Sequence, residues 1–102
     1  MSRDAQEVII LAPGTTDSVT SAVFKVRRNG EVTVSLYPEA NLGADVAVLK
    51  RYAPDGTLVT CTDDNGDIEL GADRTMEVVV GLGEYVLTAA TRTGSWGISI
   101  CR

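Results

Sequence analysis

The chain has 102 residues, nine basic and fourteen acidic, with no histidine, a net charge of −5 and 44% apolar content. That length supports one hydrophobic core and excludes two domains of ordinary size, while the apolar share excludes a disordered chain. The negative balance opposes approach to a phosphate backbone, which argues against a nucleic-acid partner.

The first seven residues are polar or charged apart from Met1 and Ala5, and only five apolar residues, Val8 to Ala12, follow them. This is neither a signal peptide nor a membrane span. A chain that starts with Met and ends within a strand is expected to be a complete small product of a cytoplasm, with residues 1–7 a flexible arm and residues 8–102 one domain.

Residues 6–12 form a first expected strand, which Pro13-Gly14 ends because proline lacks a ladder donor and glycine permits the turn. After a polar loop over 15–18, a second strand covers 19–28, with Phe24 and Val26 on one face. Asn29-Gly30 then signals a hairpin, since both residues tolerate positive φ. Its partner, residues 31–37, alternates cleanly: Val32, Val34 and Leu36 point inward, and Glu31, Thr33, Ser35 and Tyr37 outward.

A loop over 38–43 leads to a fourth strand at 44–53. Pro54-Asp55-Gly56 turns the chain back into a fifth at 57–62. The acidic turn 63–67, a short segment at 68–70 and a loop at 71–74 follow. The last third holds three strands separated by glycine-centred turns. Their shared faces are Met76, Val78 and Val80; Tyr85, Leu87 and Ala89; and Trp96, Ile98 and Ile100, and the alternation predicts one buried face for each strand. About eight strands at this spacing predict an all-β fold of two packed antiparallel sheets, a β-sandwich of either jelly-roll or immunoglobulin-like connectivity.

The chemistry available is narrow. Without histidine the usual general base, zinc ligand and activator of a serine or cysteine nucleophile are missing, and a small sandwich has little room to set two carboxylates across a cleft. The chain is therefore expected not to be an enzyme and to need no cofactor. Cys61 and Cys101 form no metal or disulfide framework, and free thiols within strands are expected. The basic clusters Lys25, Arg27, Arg28 and Lys50, Arg51 suit solvent-facing or edge positions that discourage aggregation.

Asp63, Asn65 and Asp67 stand at alternate positions, as oxygens of a calcium loop do, with Glu69 and Asp73 nearby. Ile68 stands where the helical calcium-binding pattern needs glycine, and no glutamate closes a twelve-residue loop. A solvated turn bent at Gly66 is the simpler reading. Trp96 shares its face with Ile98 and Ile100 and is expected in a core or interface, while Tyr37 and Tyr52 are better placed for exposure, as carbohydrate-stacking residues or as protein-interface anchors.

The frame from Leu11 to Thr16, the central strand turning at Asp55-Gly56-Thr57, the run Gly83-Glu84-Tyr85-Val86-Leu87 and the closing Trp96-Gly97-Ile98-Ser99-Ile100 together resemble the small β-sandwich proteins of tailed-phage virions, in particular head decoration (cement) proteins. The Gly-x-Tyr strand and the Asp-Gly turn are also similar to bacterial pre-peptidase C-terminal domains and other secreted sandwich modules. Decoration would imply a structural protein of the virion, assembled in the host cytoplasm, that bridges major capsid protein subunits as a homo-oligomer, often a trimer, without membrane or nucleic-acid contact. The residues it would use are the arm (Ser2, Arg3, Asp4, Gln6 and Glu7) and the loop bearing Tyr37, Pro38, Glu39 and Asn41. Two alternatives are a carbohydrate-binding or adhesive module, with exposed tyrosines and calcium at Asp63, Asn65 and Asp67, and a phage tail or baseplate component.

Overall fold

Val32, Val34 and Leu36 are buried along one face of a strand whose other residues are half-buried or exposed. The structure, a computed structural model, describes residues 7–102. Its strands are β1 (Glu7–Thr16), β2 (Val19–Thr20), β3 (Phe24–Val26), β4 (Glu31–Tyr37), β5 (Ala47–Tyr52), β6 (Leu58–Thr60), β7 (Thr62–Asp63), β8 (Gly66–Asp67), β9 (Glu69–Leu70), β10 (Met76–Val80), β11 (Gly83–Ala89) and β12 (Arg92–Cys101). A 3₁₀ turn at Glu39–Asn41 follows the cis Tyr37-Pro38 bond.

All pairings between strands are antiparallel. A four-stranded sheet has the order β1-β12-β4-β10; a second has β2-β11-β5-β6 along its path, with β3 also on β11 and β9 on β5. A small β7-β8 ribbon stands apart. Inner faces of both large sheets meet in one cluster: Val34, Leu36, Trp96, Ile98 and Ile100 from the first, and Phe24, Leu49, Tyr85, Leu87 and Ala89 from the second. Each such side chain contributes about 1.5–3 kcal/mol of burial. The Phe24 and Tyr85 rings stack with centroids 5.8 Å apart.

The all-β expectation, the inward faces of residues 31–37, 85–89 and 96–100, and the core position of Trp96 agree with the structure. Several expected elements are drawn differently. β1 does not stop at Pro13 but continues to Thr16 through three register shifts against β12. Bulges absorb the missing proline donor, and Gly97 opposite has no side chain to strike the Leu11 carbonyl, which a Cβ there would do.

The second strand is broken into β2 and β3. Between them the Ser21 hydroxyl accepts from the Leu87 N–H at 3.0 Å and its own N–H donates to the Leu87 carbonyl at 2.9 Å, so a side chain stands in for a ladder group. Asn29 does adopt φ 59°, and Gly30 N–H closes the turn on the Arg27 carbonyl. The strands it joins do not pair, however: β3 lies on β11 and β4 between β12 and β10. The turn carries the chain from one sheet to the other.

β10 also presents its opposite face. Val79 is 4% exposed, whereas Met76, Val78 and Val80 are 57%, 50% and 64% exposed. Register against β4 sets this, since Val79 pairs with inward Val32 and Glu77 with inward Val34, and Arg74 at the margin of the core pairs with the Glu77 carboxylate.

Candidate interaction surface

Two buried ions hold the turn end of the four-stranded sheet. Asp45, 7% exposed, accepts from Trp96 Nε1 at 2.9 Å, Thr93 N–H at 2.7 Å, Gly94 N–H at 3.3 Å and Thr93 Oγ1 at 3.0 Å. Burial pushes its carboxyl upward, but the bonds from Trp96, Thr93 and Gly94 together outweigh burial and hold it below the usual carboxylate value. Arg92, 5% exposed, lies 5.8 Å from the centroid of the same indole ring, donates to the Ala12 carbonyl at 2.8 Å and the Trp96 carbonyl at 2.7 Å, and reaches Thr16 Oγ1 at 3.0 Å. Trp96 is thus gripped at its N–H by an anion and faced by a cation. Neither ion was legible as special in the sequence. Asn41 is tied to this end as well, its Nδ2 donating to the Ser95 carbonyl at 2.9 Å.

From this anchored end the sheet extends with an outer face that is exposed at its margins and closed near its middle, where Ser99 is 4% exposed. Pairing places Ile9 beside Ser99, Ser99 beside Ser35, Ser35 beside Met76, and Thr33 beside Val78, all on that face. Ile9 at 60% exposure and the β10 row Met76, Val78 and Val80 make it apolar at both margins, with small hydroxyls between. Glu7 and Glu31 are its only acidic strand residues here, and Ser99 Oγ donates to Glu7 Oε1 at 3.2 Å. Glu7, Ile9, Ser35, Tyr37 and Ser99 line a shallow groove of about 460 Å³. The Tyr37 hydroxyl is shielded from solvent and has no hydrogen-bond partner among the described residues, a state that costs about 1–3 kcal/mol.

Glu7 and Tyr37, from the expected arm and loop, therefore come together in one groove. Ser2, Arg3, Asp4 and Gln6 lie outside the described residues. Pro38 and Glu39 sit at the end of β4 beside the groove strand, and Asn41 serves the β12 junction. Sequence parity missed the β10 row as a surface, because Val78-Val79-Val80 is apolar on either face.

Tyr52 is half-buried, like Tyr37. Asp63 and Asn65 belong to the exposed β7-β8 ribbon, where an Asp63 carboxylate oxygen accepts the Asn65 N–H at 2.8 Å and another lies 3.7 Å from Arg74. Among the described residues no three acidic or cysteine side chains gather as a metal cage would require. Cys61 and Cys101 are unbonded and half-buried, and burial pushes the Cys61 thiol up while nearby Arg51 opposes this.

No family model matches the chain, and no curated protein and no solved structure matches it.

Proposed function

We propose that the protein is a non-enzymatic assembly module, a jelly-roll β-sandwich that seats the outer face of its four-stranded sheet on subunits of a protein shell, as a phage decoration protein does on its major capsid protein. The connectivity supports the sandwich part. Counting β2 with β3 as one broken strand and taking β4, β5, β6, β10, β11 and β12 in turn, first pairs with eighth, second with seventh, third with sixth and fourth with fifth. A long antiparallel ribbon paired in this way and rolled up gives sheets ordered 1-8-3-6 and 2-7-4-5, which is the order of strands here.

The observation that carries the function is the outer face with its exposed apolar margins, Ile9 on one side and the β10 row on the other. Apolar margins and a rim with few charges suit a protein interface. The direct experiment is co-sedimentation of the purified protein with expanded shells of a tailed-phage major capsid protein. Saturable binding that falls at least tenfold in Ile9→Lys, an exposed position tolerant of charge, is expected. Failure of the wild type to sediment with shells, or binding indifferent to Ile9→Lys, would refute the reading.

A further inference from the structure

We infer that β10 pairs with β10 of a second copy across a two-fold axis at Val78, joining two four-stranded sheets into one. The Leu36 N–H donates to the Thr75 carbonyl at 2.9 Å, so residues 75, 77 and 79 turn their backbone groups to β4. By alternation Met76 and Val78 turn theirs to the open side. These same residues carry the exposed apolar side chains.

Every other long edge is blunted. β1 has three register shifts and Pro13, while β2, β3 and β6 are two or three residues long. Among the described residues β10 alone offers an edge of five regular residues without proline, bulge or basic side chain, the form that soluble proteins avoid unless the edge is used.

The occupant that fits is the chain itself. An antiparallel pairing centred at Val78 sets Val78 against Val78 and Met76 against Val80, apolar on apolar, and Glu77 against Val79, so no like charges meet. It also opposes the two ends of the strand. Both ends carry both signs, Arg74 with Asp73 and Asp63 at the start and Arg28 with Glu31 at the end, so the contact gathers no single-sign cluster.

Met76, Val78, Val80 and Leu82, 57%, 50%, 64% and 62% exposed, present roughly 400 Å² per copy, about half of what one partner gives to a standard interface. The open backbone groups of Met76 and Val78 add hydrogen bonds across the axis. Unlike the expected trimer, this contact closes with two copies, and it stands without the shell-binding reading because its test needs only the purified protein.

Light scattering after gel filtration should give twice the 10.8 kDa chain mass. Val78→Lys and Val78→Glu should each be monomeric at the same concentration, with unchanged near-ultraviolet circular dichroism from Trp96. An equimolar mixture of the two should recover the dimer, because only an axis at residue 78 sets the new lysine against the new glutamate. Val59→Lys, at an exposed β6 valine, should leave the dimer intact. A monomeric or trimeric wild type, a dimer that survives both substitutions, or a mixture that stays monomeric overturns the inference.

Discussion

Removal of the Asp45 carboxylate should be among the most damaging single changes in this protein. In Asp45→Ala the Trp96 Nε1–H, in a side chain that is 0% exposed, loses the acceptor it holds at 2.9 Å. An orphaned buried donor costs about 1–3 kcal/mol, and loss of charge-assisted bonds to Thr93 adds about 1 more. Asp45 also lines a shallow surface groove, so water screens part of its charge and can reach the Thr93 groups. That places the total near 3 kcal/mol, a large part of the roughly 5–15 kcal/mol that stabilises a domain.

The assay is urea unfolding followed by Trp96 fluorescence, with Asp45→Ala, Trp96→Phe and the double variant. The midpoint of Asp45→Ala should fall by about 2 M at an m-value near 1.5 kcal/mol/M, and Tm by about 15 °C. A coupling energy of about 1.5–2 kcal/mol between the two positions is expected, because each change alone destroys the same bond. Since the double variant lacks the tryptophan, it and Trp96→Phe are followed by far-ultraviolet circular dichroism. A loss under about 1 kcal/mol in Asp45→Ala, or coupling indistinguishable from zero, would refute the assignment of Asp45 as the pin of the indole.

The same carboxylate gives the fold a pH dependence. Its folded pKa lies below the ordinary carboxylate value, so its stabilisation is present above the unfolded value and is lost as pH falls through the folded one; urea midpoints between pH 5 and 2 should decline less steeply in Asp45→Asn than in the wild type. Val79→Ala should cost about 2 kcal/mol by opening the core, and Val78→Ala under about 0.5 in stability measured under monomeric conditions, an order that thermal melts would reverse if the buried face of β10 were Met76, Val78 and Val80. Gly94→Ala places a Cβ on the Asn41 carbonyl and should cost about 3 kcal/mol or prevent folding, whereas Gly43→Ala, with open space around it and only its φ of 56° against it, should cost about 1; parallel denaturation curves test the contrast. Cys61, raised by burial, should react with iodoacetamide at pH 8 more slowly than free cysteine, as mass spectrometry of timed samples would show.

Strand positions were readable because a half-buried strand writes its face into the sequence every second residue, as in Tyr85, Leu87 and Ala89. Partners were not. Asn29-Gly30 marks a reversal of the backbone, and a reversal is the same local event whether the chain returns along its own sheet or crosses to another. Met76 to Val80 misleads for a related reason: the strand carries apolar residues on both sides, so alternation alone selects no face and the register against Val32 and Val34 decides. Asp45 and Arg92 look like any surface charges in a chain that is 23% charged. Their meaning appears only when β12 brings Trp96 between them, at separations of 51 and four residues.

The arrangement of stiff and open parts bears on what the molecule is built to do. Its buried ions, the bulged β1 and the close approach at Gly94 and Gly97 all gather at one end of the four-stranded sheet and tie β1, β12 and the 3₁₀ turn together. A sheet braced in this way presents its outer face as a rigid surface, so a partner that binds there need not meet the entropy of ordering it. The apolar residues of that face lie at its two margins, Ile9 on one side and the β10 row on the other. If β10 joins a second copy, one margin becomes the middle of a wider sheet and the two Ile9 margins become its outer rims. A shell-binding surface and a self-pairing edge then form one continuous face, and Ile9→Lys should weaken attachment to shells while leaving the dimer intact. Sedimentation of that variant with and without shells separates the two roles. Loss of the dimer in Ile9→Lys would show that the copies meet through the face and not through the β10 edge.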